Sequence, residues 1–397
     1  MKEHFVARRI INLCFIMAAT VAFSLFLSWK NGKMVDEMLG VLILDAVYLA
    51  LFAFLLEHER ALGRLSGNRE CNYHKLMFGY LFSFAVLTAG SVCPEFLKPV
   101  IFLPFVMTAV GSVQIAMYTG IFGNAILCLM AGANNEELIL YCILTLAGCV
   151  LAEAMMKQEN KLWYAGIVFA VSVLLPELFY YFAYQEIKPK LFLYGGIEGA
   201  VAVLFIFTCY QILLRAREQE ISTILNDILD ESYPAAMELM NFSRQEYEHA
   251  RNVSRVAAAC ARLVGADEKL CAAAGFYYRI GIIEGEPIAQ SGVLIAQKYC
   301  FPEEVLHIIY EYDGKDELPS NVESAIVHMV NGLLLKMEVL NKKTALHSDW
   351  NQDMVIYQTL NELSATGIYD ESGLSMNQFL KLRELLVREE ISYDNND

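Results

Sequence analysis

Three carboxylates lie where carboxylates are costly. Asp45, Glu177 and Glu198 each interrupt a long apolar run. An ionisable side chain inside a bilayer marks a functional site by default. Three at similar depth could bind a cation or an amine, or sense protonation. The structural alternative is that they are protonated, or bonded to nearby tyrosines beside a wet cavity. A second group lies in the polar part of the chain. His249 is either a ligand or a hydrogen-bonded core histidine. Arg279 offers a planar fork that grips phosphate, or a salt bridge to Glu284, Glu286 or Asp313. Tyr277 and Tyr278 beside it either stack on a base or fill a core.

The polar group is carried by Glu246 to Pro287, which reads as two helices and a tight turn. Ser243 with Glu246 forms a capping box. Val253, Val256, Ala257, Cys260, Leu263 and Val264 recur at helical spacing. Gly265 stops the first helix and Asp267 caps the second. The second helix runs through Leu270 and Ala274 to Tyr277 and Tyr278, then meets Gly281.

The carboxylates of the first group belong to a different kind of segment. Of 397 residues, 56% are hydrophobic, which is high for a soluble chain. Apolar runs cover 10–29, 39–57, 75–93, 98–117, 118–132, 137–156, 162–183 and 192–214, about eight spans. The fifth is short, as a tilted or partly re-entrant span would be. No small-residue cleavage site precedes Trp29-Lys30, so the first run is expected to be an uncleaved anchor. With the N-terminus inside, about 11 basic residues fall on the cytoplasmic side and 5 (Lys30, Lys33, Lys98, Lys188, Lys190) outside. That obeys the positive-inside rule and leaves both termini in the cytoplasm. Asp45, Glu177 and Glu198 then share the outer third. Gly195 and Gly199 form a GxxxG beside Glu198, a weak signal for close helix packing.

Residues 215–397 hold 16 basic and 30 acidic side chains, a net of 16 − 30 = −14. An acidic domain excludes a nucleic-acid footprint, which needs a basic patch. The ten cysteines are scattered without CxxC, so neither a disulfide framework nor a zinc site is expected. Within 211–242, Ile221, Leu225, Ile228 and Leu229 form a stripe that either pairs with a second protomer or packs on the following domain. Pro234 ends or bends that helix. Helices are expected at 291–314, where Pro302 suits a first helical position and Gly314 a C-terminal cap. Others are expected at 319–340, opened by a second capping box of Ser320 and Glu323, and at about 349–366 and 376–390. The fold class is therefore all-α: an anchor helix and short outer loop at 1–38, a seven-span membrane domain at 39–214, a helical linker at 215–242 and an all-helical cytosolic domain at 243–397.

Tyr247-Glu248-His249 and Tyr277-Tyr278-Arg279-Ile280-Gly281-Ile282 resemble the opening of an HD-type metal phosphohydrolase domain. That family has Tyr-x-His on its first helix and Tyr-Tyr-His-Asp-Ile-Gly-Lys ending its second. Together with the Pro-containing run at 102–132, the chain is similar to the bacterial seven-transmembrane HD family, whose best-known members are cyclic di-AMP phosphodiesterases. The resemblance covers nearly the whole chain, with the family's large extracellular domain reduced to the loop at about 30–38. It implies a vestigial site. Family His and Asp become Tyr278 and Arg279, and the following Lys becomes Ile282. Family His-His-Gly becomes Tyr312-Asp313-Gly314, and the final Asp becomes Asn331. A segment of the family between the pair and the 297–314 helix is mostly missing.

The family's site gathers imidazoles and carboxylates around divalent metals that activate water and polarise phosphate. One His and one carboxylate do not close such a site, and a guanidinium at a ligand position repels a dication. No metal or other cofactor is expected, His249 and Asp313 being weak candidates. The resemblance thus implies a receptor-like protein of the bacterial cytoplasmic membrane with a degenerate HD domain. It would work by binding a cyclic dinucleotide, another phosphate ligand or a protein, with Arg279 as the phosphate anchor and a homodimer through 211–242 as an option. The alternative is an active cyclic di-AMP phosphodiesterase using Mn²⁺ or Fe²⁺ on an unusual ligand set. A transporter fits less well, because no internal repeat or matched pair of broken helices is visible.

Overall fold

A computed structural model describes residues 2–62, 64–65, 73–157, 161–344 and 352–388. All regular secondary structure among these residues is helical, with no strand. They divide into two compact units, 1–221 and 222–397. The division falls inside the segment expected as a linker. Arg69, residues 349–351 and residues 389–390, which entered the expectations above, lie outside the described residues.

The first unit contains α1 (Lys2–Lys30), α2 (Val35–Ala61), α3 (His74–Gly90), α4 (Phe102–Val110), α5 (Val113–Ala131), α6 (Asn135–Lys157), α7 (Lys161–Tyr184) and α8 (Pro189–Phe205). A π turn at Ile206–Tyr210 then leads into α9 (Gln211–Ile228). Six helical stretches of the described chain are long and apolar enough to cross a membrane: 8–30, 35–61, 113–131, 135–156, 161–184 and 189–228. Their outward faces carry Phe54, Trp163, Leu193 and Leu204, each more than 60% exposed. Such a surface suits lipid rather than water.

The apolar run 98–117 is not one helix. It breaks at Gly111–Ser112, where Ser112 turns extended and its hydroxyl accepts from the amide of Ile115. The nine residues of α4 reach only about 14 Å at 1.5 Å per residue, roughly half a bilayer's hydrocarbon core. The run beginning at 118, expected to be the short one, instead starts at Val113 and is a full-length helix. All of Phe102–Ala109 is buried. The guanidinium of Arg217 closes the exposed carbonyl end of α4, donating to Thr108 at 3.0 Å and Gly111 at 3.4 Å. Gly195 and Gly199 do serve close packing: a Cβ on Gly195 would lie 2.7 Å from the carbonyl of Ser172 on α7.

The second unit contains the end of α9 followed by α10 (Pro234–Phe242), α11 (Arg244–Val264), α12 (Glu268–Tyr277), α13 (Ile288–Lys298), α14 (Glu303–Glu311), α15 (Val322–Thr344), α16 (Gln352–Ala365) and α17 (Met376–Arg388). Helix α9 stops at Ile228, ahead of the proline, and Pro234 opens α10 rather than bending its predecessor. Ile224, Leu225 and Ile228 are buried within this unit, so the stripe packs on its own domain. Val253, Val256, Ala257 and Cys260 of α11 are at most 1% exposed, whereas Leu263 stands out at 43%. The capping box of α15 does not form. Asn321 caps it instead, accepting from the amide of Ser324, while Glu323 accepts from the amide of Asp267 and Ser320 donates to Glu311.

Candidate functional site

The start of α11 fixes one wall. The hydroxyl of Ser243 accepts from the amide of Glu246, as a cap should. The reciprocal bond of a capping box is not needed, because the Ser243 amide already donates to Leu239. The Glu246 carboxylate is thereby available to another partner, and Arg279 takes it at 3.3 Å. One helical turn beyond Glu246, His249 points into the core, only 6% exposed.

The end of α12 fixes the opposite wall. Asp267 caps this helix by accepting from Lys269 and Leu270. Its C-terminus tightens into a 3₁₀ turn at Ile280–Ile283. Gly281 is obligatory there, since a Cβ would lie 1.9 Å from the carbonyl of Ile288. This close approach fixes where Tyr278 and Arg279 point. Tyr278 is fully buried and its phenol lies 2.6 Å from Nε2 of His249. Tyr312, at the end of α14, packs edge-on against Tyr278 with ring centroids 5.2 Å apart. Tyr277 turns the other way: its hydroxyl donates to the carbonyl of Ile228 at 2.6 Å, satisfying an orphan acceptor at the end of α9.

Charge in this site is held by contact rather than by solvent. Burial works against the Arg279 charge, yet Tyr278, Glu246 and Tyr312 together hold its pKa above the ordinary value. Burial, reinforced by Asp313, pushes the Tyr312 phenol up to about 12. Asp313 accepts from the amide of Lys315 and pairs with its ammonium at 3.3 Å. Arg279 is paired, as the structural alternative held, but with Glu246 rather than Glu284, Glu286 or Asp313.

A pair that the sequence reading passed over completes the picture. His328 of α15 is buried, and its Nδ1 lies 3.0 Å from the phenol of Tyr369. Burial lowers the His328 pKa, with Asp313 opposing. A Cβ on Gly314 would come within 3.3 Å of Nε2 of His328, so the Tyr312-Asp313-Gly314 turn rests on this imidazole. Asn331, one turn further along α15, is buried with no partner on Oδ1. The spacing of His328 and Asn331, three residues apart on one helix face, was the available signal. The structure thus brings His249, Tyr278 and Tyr312 together, joins Arg279 to Glu246 beside them, and sets Asp313 near His328. Among the described residues, no three His, Cys, Asp or Glu side chains gather closely enough to hold a metal ion.

The membrane carboxylates fall in separate places. Asp45 lies on α2, which packs on α1 and α5, whereas Glu177 and Glu198 lie on the α7–α8 pair. Oε1 of Glu177 accepts from the amide of Lys188 at 2.6 Å, at the start of α8. Glu198 is half-buried. The even depth read from the sequence does not translate into one pocket for all three, because α2, which bears Asp45, packs on α1 and α5, while α7 and α8 pack on each other. A further buried pair was missed: Lys98, read as an outer-loop residue, binds Glu137 at 2.7 Å, and Tyr141 donates to the same oxygen.

No family model and no curated protein matches the chain. Two solved structures are similar to part of it, both of the HD domain of the phosphodiesterase PgpH of L. monocytogenes. The one in complex with cyclic-di-AMP has 14% identity, a TM-score of 0.34, and coverage of 39% of this chain and 94% of its own. The other has the same identity and TM-score and 96% coverage of its own chain.

Proposed function

We propose that the protein is a membrane receptor-like regulator whose polar domain keeps an HD-type helix arrangement and acts by binding rather than by hydrolysis. The observation that carries this reading is the 2.6 Å contact between His249 Nε2 and the Tyr278 phenol. A metal on that nitrogen would have to displace a fully buried tyrosine. The next position holds a guanidinium already paired with Glu246, which disfavours a dication further. An anionic ligand suits that cation better than a metal does. A phosphate could replace Glu246 on Arg279, because both side chains of the pair keep about a quarter of their surface in solvent, 23% and 25%.

In this reading the six long apolar helices sit in the bacterial cytoplasmic membrane with both termini inside, and the polar domain faces the cytoplasm. The spans sense a ligand or membrane state, and α9 links them to the domain. The ligand class is a cyclic dinucleotide or another phosphate compound, cyclic di-AMP being the probe that the sequence resemblance names. The test is restoration. The double variant Tyr278→His with Arg279→Asp in the full chain, assayed with Mn²⁺ and cyclic di-AMP, is expected to stay inactive, because Asp313 and Asn331 do not complete the ligand set. Metal-dependent hydrolysis by that variant would show that the remaining ligands are present, and would overturn the reading.

A further inference from the structure

The polar residues of the first three helices avoid lipid. Thr20 and Ser24 of α1, Asp45 and Tyr48 of α2, and Tyr80 and Ser83 of α3 are each no more than 3% exposed. Two contacts fix the register of α1 against α3. Thr20 Oγ1 lies 2.6 Å from the phenol of Tyr80, and Phe23 packs edge-on against Phe84 with centroids 4.9 Å apart. The two helices therefore run parallel, and the same register sets Ser24 level with Ser83. Ser24 donates to Oδ1 of Asp45 at 2.9 Å. Tyr80 in turn reaches the phenol of Tyr48 at 3.4 Å. Five oxygen-bearing side chains from three helices thus lie buried in the same cluster as one carboxylate.

Two atoms of this cluster are unsatisfied: Oδ2 of Asp45 and the hydroxyl of Ser83. Buried polar atoms are normally paired, and an exception needs an explanation. Among the described residues, no ion pair to Asp45 is formed. The basic residues of α1 and α3 lie at their ends, namely Lys2, His4, Arg8, Arg9, Lys30, His74 and Lys75, and the Lys30 ammonium is bonded to Ser91. Those of α2, His58 and Arg60, lie in its last turn. Helix α5 contains no charged residue at all. The side chain shown bonded to the carboxylate is the Ser24 hydroxyl, and the buried polar groups of the cluster are hydroxyls and phenols.

Oxygen-only surroundings suit a hard cation. A single carboxylate balances a single positive charge. We propose that Asp45 anchors an intramembrane site for a small monovalent cation, sodium-sized, with Ser24, Ser83 and the tyrosine phenols contributing neutral oxygens. The cation would complete Oδ2 and Ser83 together and tie α1, α2 and α3 at one level. This site is independent of Glu177 and Glu198, and independent of the His249 region.

The test uses the full chain in detergent, with choline chloride exchanged stepwise for sodium chloride at constant ionic strength. Thermal unfolding is expected to shift upward saturably with sodium, by roughly 3–6 °C at a hundredfold excess over Kd. Asp45→Asn should abolish the response. Ser83→Ala, a milder change that keeps the carboxylate, should move the sodium midpoint about tenfold higher, and it serves where Asp45→Asn fails to fold. Glu177→Gln should leave the response intact. An identical unfolding curve in choline and in sodium would overturn the proposal. So would an unaltered sodium response in Asp45→Asn, or a stability that follows pH and ignores sodium, which would show Asp45 to hold a proton alone.

Discussion

The Tyr278 phenol and the His249 imidazole meet at 2.6 Å in a part of the core that water does not reach. Solvent does not satisfy either group, so the contact between them matters to both. Replacing Tyr278 with Phe keeps the ring's packing against Tyr312 and removes only the hydroxyl. The expected cost is about 1 kcal/mol, the net contribution of one buried hydrogen bond. It should appear as a lower Tm for the full chain in detergent, with the helical content unchanged. A variant as stable as the parent would show that His249 has a sufficient partner elsewhere.

Arg279 and Glu246 form a pair that is open to solvent for about a quarter of each side chain. Such a pair contributes less than a buried one. A double-mutant cycle with Arg279→Ala and Glu246→Ala is expected to give a coupling of at most about 1 kcal/mol. Binding of a phosphate ligand should behave differently: Arg279→Ala should abolish it, while Glu246→Ala should strengthen it by freeing the guanidinium. Equal losses of binding in both variants would mean that the pair acts only as a structural clip.

Tyr277 satisfies the Ile228 carbonyl at the end of α9. Tyr277→Phe leaves that acceptor without its phenol. Faster hydrogen exchange in the last turn of α9 is the expected outcome, with a global cost of about 1–2 kcal/mol. Exchange confined to α12 would instead locate the effect in the core of the domain.

His328 gives the domain a defined pH dependence. Burial depresses its pKa in the folded state, so the unfolded chain binds that proton more readily. Its contribution is therefore present above the unfolded value of about 6.5 and is lost as pH falls below it, towards the folded pKa. His307 has the opposite sign. Its hydrogen bond to Glu303 raises its pKa, which favours the folded state at low pH and loses that contribution as pH rises through the folded value. With its side chain 57% exposed, His307 is screened and contributes little. Stability between about pH 7 and 5 should fall, and His328→Gln should flatten that fall. A profile unchanged in the variant would assign the dependence to another group.

Local signals in the sequence carried the helix boundaries around the site. Ser243, Gly265 and Asp267 each do what their side chains or backbone freedom dictate, since caps depend on residues a few positions away. The break at Gly111–Ser112 was hidden because apolar residues continue on both sides and hydropathy does not register a change of direction. Long-range pairing was hidden for another reason. Nothing near Arg279 marks Glu246 as its partner, and nothing near Lys98 marks Glu137; both are set by which helices become neighbours. The same holds for Asp45, which the depth argument grouped with Glu177 and Glu198 and which the helix arrangement sets apart from their α7–α8 pair. His328 and Tyr369 lie 41 positions apart, so only their contact across helices reveals them.

The most direct test is calorimetric titration of the full chain in detergent with cyclic di-AMP, with and without Mn²⁺, with the same samples assayed for product. Metal-independent binding that requires Arg279 and yields no product is the predicted result. Turnover that depends on Mn²⁺ would contradict the account, because it would require the His249 nitrogen to leave Tyr278 and bind metal.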